Sequence, residues 1–121
     1  MQFNALTPAL VSAFEAIVSP GHVLTAATAE AQRYEAYGRD HTEDFHFAPD
    51  VVLRPGSAEE IGQIMRLCHE HRLPVTPRGA GTGLSGGALP IHHGVVLSTE
   101  RLNKIIQIDE RNLQATVEPG V

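Results

Sequence analysis

Five of the chain's eleven glycines fall in one short segment, Pro77-Arg78-Gly79-Ala80-Gly81-Thr82-Gly83-Leu84-Ser85-Gly86-Gly87-Ala88. Glycine packs no core and costs chain entropy to order. Such a density points to backbone amides that must approach something bulky and anionic. Positive φ angles, which glycine tolerates, turn successive N–H groups inward to form an anion-binding nest. Thr82 and Ser85 add hydroxyl donors, and Arg78 adds a fixed positive charge at the entrance to the loop. The chemistry this suits is the cradling of a diphosphate. A flexible surface turn is the competing reading, but a plain turn needs only one or two glycines.

The type of nucleotide follows from what surrounds the loop. A P-loop requires Lys-Ser/Thr after its last glycine, and no such pair is present. The dinucleotide pattern G-x-G-x-x-G matches at Gly81, Gly83 and Gly86, yet a Rossmann loop must open a helix. Here Pro90 and Gly94 stand in the way, and the roughly eight residues before the next strand fall short of the ten to twelve that a βαβ crossover needs. Glu100, about twenty residues after Gly81 where a ribose-binding acid would sit in that fold, is discounted for the same reason. The segment reads as a strand–loop–strand phosphate binder.

No other group of reactive side chains converges in the sequence. His69 and His71 stand two apart on a predicted helix and face away from each other, unlike an i, i+4 metal pair. His92 and His93 point opposite ways before a strand. His41 and His46 share an irregular loop with Glu43 and Asp44 and read as solvated, so no metal site is assigned. Cys68 is the single cysteine. It forms no intrachain disulfide, gives no sign of an oxidising compartment, and reads as a small core residue. For Tyr37 and Asp40, approach to a cofactor and plain capping or packing both stay open.

The elements that must position the loop are legible by period. Residues 1–49 read as helical and peripheral. Thr7-Pro8 opens a helix carrying Leu6, Leu10, Phe14 and Ile17, and Ser19-Pro20-Gly21 stops it. A second helix is expected over about 26–37 with Gly38 as its C-terminal cap, followed by an irregular stretch over 39–49. Val51-Val52-Leu53 is a short buried-type strand ended by Arg54-Pro55-Gly56. Ser57 and Glu60 form a capping box for a helix burying Ile61, Ile64, Met65, Leu67 and Cys68. Val75-Thr76-Pro77 and Val95-Val96-Leu97-Ser98 are further strands, parallel, with a crossover helix. Ile106 and Ile108, then Leu113, Ala115 and Val117, alternate as a hairpin with Asp109 to Asn112 as its turn. The fold class is α+β with an α/β-like first lobe: N-terminal helices, short parallel strands with a crossover helix, then an antiparallel hairpin.

Composition sets the outer limits. The chain has 121 residues, about one domain's worth, and a net charge of −5 with histidine neutral. No basic field attracts nucleic acid or an anionic membrane. Hydrophobic residues at 42% suit a globular chain. The N-terminal twenty residues hold no Lys or Arg and make a poor signal peptide. No run approaches the roughly 20 apolar residues that span a bilayer. A cytoplasmic location is the expectation.

From Asp50 onward the chain resembles the start of the FAD-binding (PCMH-type) domain of the vanillyl-alcohol oxidase / p-cresol methylhydroxylase flavoprotein family. The likeness is greatest to the FAD subunit of glycolate oxidase and to FAD-linked D-lactate dehydrogenases. It rests on Pro49-Asp50-Val51-Val52-Leu53-Arg54-Pro55 and on Pro74-Val75-Thr76-Pro77 continuing through Ala88. It extends over Gly94-Val95-Val96-Leu97-Ser98, Leu102-Asn103-Lys104-Ile105-Ile106-Gln107-Ile108-Asp109 and Val117-Glu118-Pro119-Gly120-Val121. Tyr37-Gly38-Arg39-Asp40 is similar to the family's upstream Tyr-x-x-Asp. The likeness covers roughly the last 85 residues.

The resemblance implies a division into an N-terminal helical segment, 1–49, and the first lobe of an FAD-binding domain, 50–121. It implies that residues 78–88 hold the FAD diphosphate through backbone amides, with Pro77, Pro55, Pro119 and Gly120 near the cofactor. Some relatives attach FAD covalently through a His in this loop. Thr82 stands at roughly that position and residues 78–88 hold neither His nor Cys, so non-covalent FAD is expected. The implied reaction is oxidation of a 2-hydroxy acid such as glycolate or D-lactate, with hydride passing to flavin N5. Glycolate oxidase-like members work with other subunits, one of them an iron–sulfur protein. No catalytic residue is assigned, because the family carries those further along its chain. With half of the cleft, these 121 residues are expected to bind FAD weakly or not at all. A non-catalytic nucleotide- or phosphate-binding module and an inactive fragment of such a flavoprotein are the alternatives.

Overall fold

The computed structural model describes residues 2–28, 31–42 and 45–121. The first helix, α1 (Pro8–Val18), starts where Thr7 caps it, the Thr7 hydroxyl accepting from the Leu10 N–H at 3.3 Å. Proline at the first helical position costs nothing there, because that N–H has no helical partner. Leu10, Phe14 and Val18 form its buried stripe. Ser19, with φ +76°, turns the chain out of the helix through a short 3₁₀ turn, Pro20–His22, into the two-residue strand β1 (Val23–Leu24).

The region expected to be a long second helix differs. Thr25 to Thr28 form a turn closed by the Thr28 N–H on the Thr25 carbonyl, and α2 covers only Ala31–Ala36. Residues 29 and 30, inside the expected helix, lie outside the described residues. A threonine hydroxyl that bonds local backbone competes with helix formation, and Thr28 does so at the Thr25 N–H, 3.0 Å away.

The central sheet joins β1, β2 (Val51–Leu53), β4 (Val95–Ser98) and β3 (Val75–Arg78), in that spatial order. β2 and β3 both run parallel to β4, and β1 runs antiparallel to β2. The crossover helix α3 (Ala58–Glu70) therefore links two strands that are not neighbours, and the glycine-rich segment returns the chain to fill the place between them. Every residue of β2 and β4 is buried. That is why both read as unbroken apolar runs rather than as alternating strands.

Both faces of this sheet are covered. Val51, Leu53, Val95 and Leu97 pack with Leu10, Phe14 and Val18 of α1 and Ile64 and Cys68 of α3. Val52 and Val96 pack on the other face with Leu24, Tyr34 and Tyr37. The N-terminal residues expected at the periphery thus enter the core, and Phe14 is fully buried. Ser57 caps α3, its hydroxyl accepting from the Glu60 N–H at 3.2 Å. The reciprocal half of the box goes one residue early, with Glu60 accepting from the Gly56 N–H instead of from Ser57. Met65, expected on the buried stripe, is 44% exposed.

The thiol of Cys68 lies in this core, and burial raises its pKa to about 11. Burial also raises the Tyr34 phenol to about 12, with Asp50 adding to the shift. Both groups bind their proton more tightly folded than unfolded, so the stability they contribute is intact below pH ~9 and is lost as pH climbs through these values. The urea midpoint of unfolding is therefore expected to fall steadily above pH ~9, and a thiol reagent at pH ~8 to label the native chain far more slowly than the unfolded one. A flat midpoint between about pH 9 and 11 would contradict the burial of this pair.

The last element is a hairpin of β5 (Ile105–Asp109) and β6 (Gln114–Val117), a separate two-stranded sheet. Asp109 accepts from the Asn112 N–H at 3.0 Å and from its amide Nδ2 at 2.9 Å, fixing a turn whose last residue, Leu113, has φ +54°. Among the described residues no helix is long and apolar enough to cross a membrane.

Candidate cofactor-binding site

Parallel strands end their carboxyl termini on one edge of a sheet, and such edges are where ligands of α/β folds bind. β3 ends at Arg78 and β4 at Ser98, in register with each other. The glycine-rich segment leaves the sheet at that edge. Residues 79–94 contain turns but no helix, in keeping with the strand–loop–strand reading.

The conformation of the loop divides its glycines. Gly81 and Gly86 have φ of +72° and +78°, values that side-chain-bearing residues adopt at a cost. Gly81 meets a second restriction, because a Cβ there would overlap the Arg78 guanidinium. Gly79 and Gly87 have open space around them, and a Cβ on Gly83 would meet the Asp40 carboxylate only at 4.0 Å. Two of the five glycines are thus demanded by backbone conformation.

The loop is tied down through its carbonyls and not through its amides. The Gly83 carbonyl accepts from the His41 N–H at 3.1 Å, and the Gly86 carbonyl accepts from the Leu89 N–H at 3.1 Å. Among the described residues, none of the N–H groups of residues 79–88 donates to a protein acceptor. Thr82, Leu84 and Ser85 are exposed at the crown of the loop, and Pro77 is exposed on the strand that leads into it. A row of free N–H donors on a turn built from two positive-φ glycines, with two hydroxyls beside it, suits the oxygens of a diphosphate. On this observation the residues present fit FAD, with 78–88 as the segment that would hold its diphosphate.

Arg78 stands at the entrance to the loop, and its side chain is already engaged there. Its guanidinium carbon lies 5.6 Å from the centroid of the Tyr37 ring, and its Nη1 donates to the Arg39 carbonyl at 2.6 Å. Partial burial draws its pKa below the usual arginine range, with Tyr37, Asp40 and Glu100 opposing. Tyr37 donates its hydroxyl to Glu100 Oε1 at 2.5 Å, and its phenol pKa is raised by burial first and by Glu100 second. The same carboxylate oxygen accepts from the Ser98 hydroxyl at 3.4 Å and stands 3.9 Å from Arg54 Nε.

The other expected residues share this edge of the sheet. Pro55 follows β2 and is buried. Pro119 and Gly120 are held at the end of β4, where the Thr99 hydroxyl donates toward the Pro119 carbonyl and toward the Arg78 carbonyl, each at 3.4 Å. A Cβ on Gly120 would run into the Thr99 and Leu102 carbonyls. Pro119 also lines a cleft with Gly56, Ser57, Lys104 and Glu118. Tyr37 and Glu100 are the members of the site that sequence reasoning left open or set aside. They lie 63 residues apart; the family-like Tyr-x-x-Asp marked Tyr37, and Glu100 was marked only by a ribose-acid spacing that the missing helix set aside.

The histidines do not gather. His93 Nδ1 lies 2.6 Å from the Ala48 carbonyl, and His92 packs its ring near Phe3 at 5.2 Å. Glu43 and Asp44, weighed beside His41 and His46, lie outside the described residues. Among the described residues no three or more His, Cys, Asp or Glu side chains converge as metal ligands would.

Residues 49–121 match the family described as FAD binding domain. The Bacillus subtilis (strain 168) protein named glycolate oxidase subunit GlcD is 47% identical over 85 residues, covering 70% of this chain and 18% of that protein. The probable mitochondrial D-lactate dehydrogenase of Danio rerio is 34% identical over 123 residues, covering 99% of this chain and 24% of that protein. Among solved structures, p-cresol methylhydroxylase with substrate bound superposes with a TM-score of 0.78 at 28% identity, covering 97% of this chain and 24% of that one. The chain thus spans about a fifth to a quarter of the length of the relatives it matches.

Proposed function

The chain belongs to the FAD-binding domain family, and on that premise we propose that it is the FAD-holding portion of a flavin-dependent oxidoreductase acting on a 2-hydroxy acid such as glycolate or D-lactate. Residues 50–121 serve as the first lobe of the cofactor domain, and 1–49 as an N-terminal segment packed upon it. FAD, when bound, supplies the two-electron acceptor. The task of this chain is to bind and orient. Residues 78–88 receive the diphosphate, while Pro77, Pro55, Pro119 and Gly120 shape the neighbouring edge. The observation that carries the reading is the run of N–H groups over 79–88 without a protein acceptor, turned by Gly81 and Gly86 at the carboxyl end of β3. The 2-hydroxy acid is suggested by the names of the glycolate oxidase and D-lactate dehydrogenase relatives.

Titration of the ¹⁵N-labelled chain with FAD tests this assignment. Amide resonances of residues 79–88 are expected to shift the most, with a Kd well above ~1 μM because so much of the relatives' length is absent from these 121 residues. Shifts confined to other surfaces would refute the loop as the cradle, and sub-micromolar affinity would refute the dependence on further chain. Attachment is tested on the flavoprotein that carries this segment. No His or Cys lies in 78–88, so acid precipitation is expected to release the flavin into the supernatant. Flavin retained in the pellet would show a covalent link.

A further inference from the structure

Arginine carries five N–H donors in a rigid plane and usually meets phosphate end-on. The Arg78 side chain is committed in other directions. One face of its guanidinium looks onto the Tyr37 ring at 5.6 Å, Nη1 is spent on the Arg39 carbonyl at 2.6 Å, and the group overlies Gly81 so closely that a Cβ there would collide with it. Tyr37 is in turn fixed by Glu100, whose Oε1 also takes the Ser98 hydroxyl and faces Arg54. The β3 backbone at Arg78 is held as well, since the Arg78 carbonyl accepts from the Thr99 N–H at 3.0 Å. A chain of contacts thus runs from the end of β4 through Glu100 and Tyr37 to Arg78 and the Gly81 turn.

We propose that Arg78 is a positioning residue whose guanidinium, held against Tyr37, braces the Gly81 turn that it overlies, with Tyr37 and Glu100 as the parts that hold the clamp. It does not neutralise the diphosphate directly. The inference rests on the cradle reading of residues 79–88. The clamp explains how a loop with two positive-φ glycines keeps its N–H groups aligned before any anion arrives, which spares the ordering cost at binding. It also gives Glu100 a place: a carboxylate near an anion site is unfavourable by charge, and here it serves by fixing the tyrosine.

That conflict of sign supplies the test. Glu100→Leu removes both the negative charge and the acceptor of the Tyr37 hydroxyl, so charge alone predicts tighter anion binding, whereas loss of the clamp predicts weaker binding. The probe is inorganic pyrophosphate, followed by amide shifts of the ¹⁵N-labelled 121-residue chain. Glu100→Leu and Tyr37→Phe are each expected to raise the Kd about tenfold, the scale of coupling in contacting networks. Arg78→Met should weaken binding similarly while leaving the dependence of Kd on NaCl concentration unchanged. Arg78→Lys keeps the charge but not the planar fork, and should behave like Arg78→Met. Without any ligand, the resonances of residues 79–83 in Glu100→Leu and Tyr37→Phe should move toward their Arg78→Met positions.

Tighter pyrophosphate binding by Glu100→Leu would overturn the clamp. So would a flattened salt dependence in Arg78→Met, or near-native binding by Arg78→Lys, each of which marks a direct ionic contact. Loop resonances that stay put in the ligand-free Glu100→Leu chain would also overturn it. A wild-type chain whose loop amides ignore pyrophosphate would instead refute the cradle itself, an outcome distinct from failure of the clamp alone.

Discussion

Gly81→Val is expected to cost this chain FAD binding by a factor of about 100 or more, a loss of roughly 3 kcal/mol, while leaving the fold intact. Two independent penalties meet at the position. Its φ of +72° is one that a β-branched residue adopts only under strain. A Cβ there also overlaps the guanidinium of Arg78, which is fastened to the Arg39 carbonyl and the face of Tyr37 and cannot simply swing aside. The turn would have to open, and the N–H groups after it would lose their alignment. Gly86→Val should fall short of this. It shares the positive φ, but its Cβ would meet only Leu89 Cδ1 at an ordinary 3.4 Å. Gly79→Ala, with nothing within 4 Å, should bind like the native chain. Flavin titration of the three variants checks the order, and Gly81→Val binding like wild type would remove the loop from the site.

What could be read from the sequence, and what could not, follows from the range of the forces involved. The start of α1 at Thr7 and of α3 at Ser57 is local chemistry, an oxygen reaching an N–H three residues on, and local patterns carry it. The buried strands Val51–Leu53 and Val95–Ser98 were legible because a strand covered on both faces is predominantly apolar, as Val51-Val52-Leu53 and Val95-Val96-Leu97 are. Val23–Leu24 was not, since two residues have no period. It is a strand only because the edge of β2 is there to pair with it. Insertion of β4 between β2 and β3 is likewise a property of assembly, invisible to any window along the chain.

The site divides along the same line. Glycine density announced the loop, since no other residue turns a backbone through positive φ so cheaply. It did not say which glycines were needed. Sequence placed the Arg78 charge at the loop entrance but not its orientation onto Tyr37 and the Arg39 carbonyl. Glu100 was discounted with the helix that a Rossmann loop would have required, and rightly as a ribose ligand in that fold. Its contact with Tyr37 spans 63 residues, and no spacing rule reaches so far.

The same contrast between local reading and assembly fixes the second large effect, Phe14→Ala. By sequence α1 belonged to a peripheral segment, and truncating one aromatic on such a helix would cost little. In the structure Phe14 is fully buried, in one cluster with Val51, Leu53 and Val95 of the sheet and Ile64 and Cys68 of α3. Removing a buried phenyl ring loses its transfer free energy and leaves a cavity, together about 3–5 kcal/mol. Domains of this size are stable by only about 5–15 kcal/mol, so the thermal midpoint should fall on the order of 10–20 °C. Phe45→Ala is the control, because Phe45 is 51% exposed and its ring only stacks on Phe47 at 6.4 Å. Its midpoint should stay within about 2 °C of the native value. The cofactor loop would feel Phe14→Ala through the strands that carry it, since β2 and β4 lose the layer that presses on Val51 and Val95. A Phe14→Ala chain that melts with the Phe45→Ala control would return α1 to the periphery, and β2 and β4 would then have to hold the loop edge in place without it.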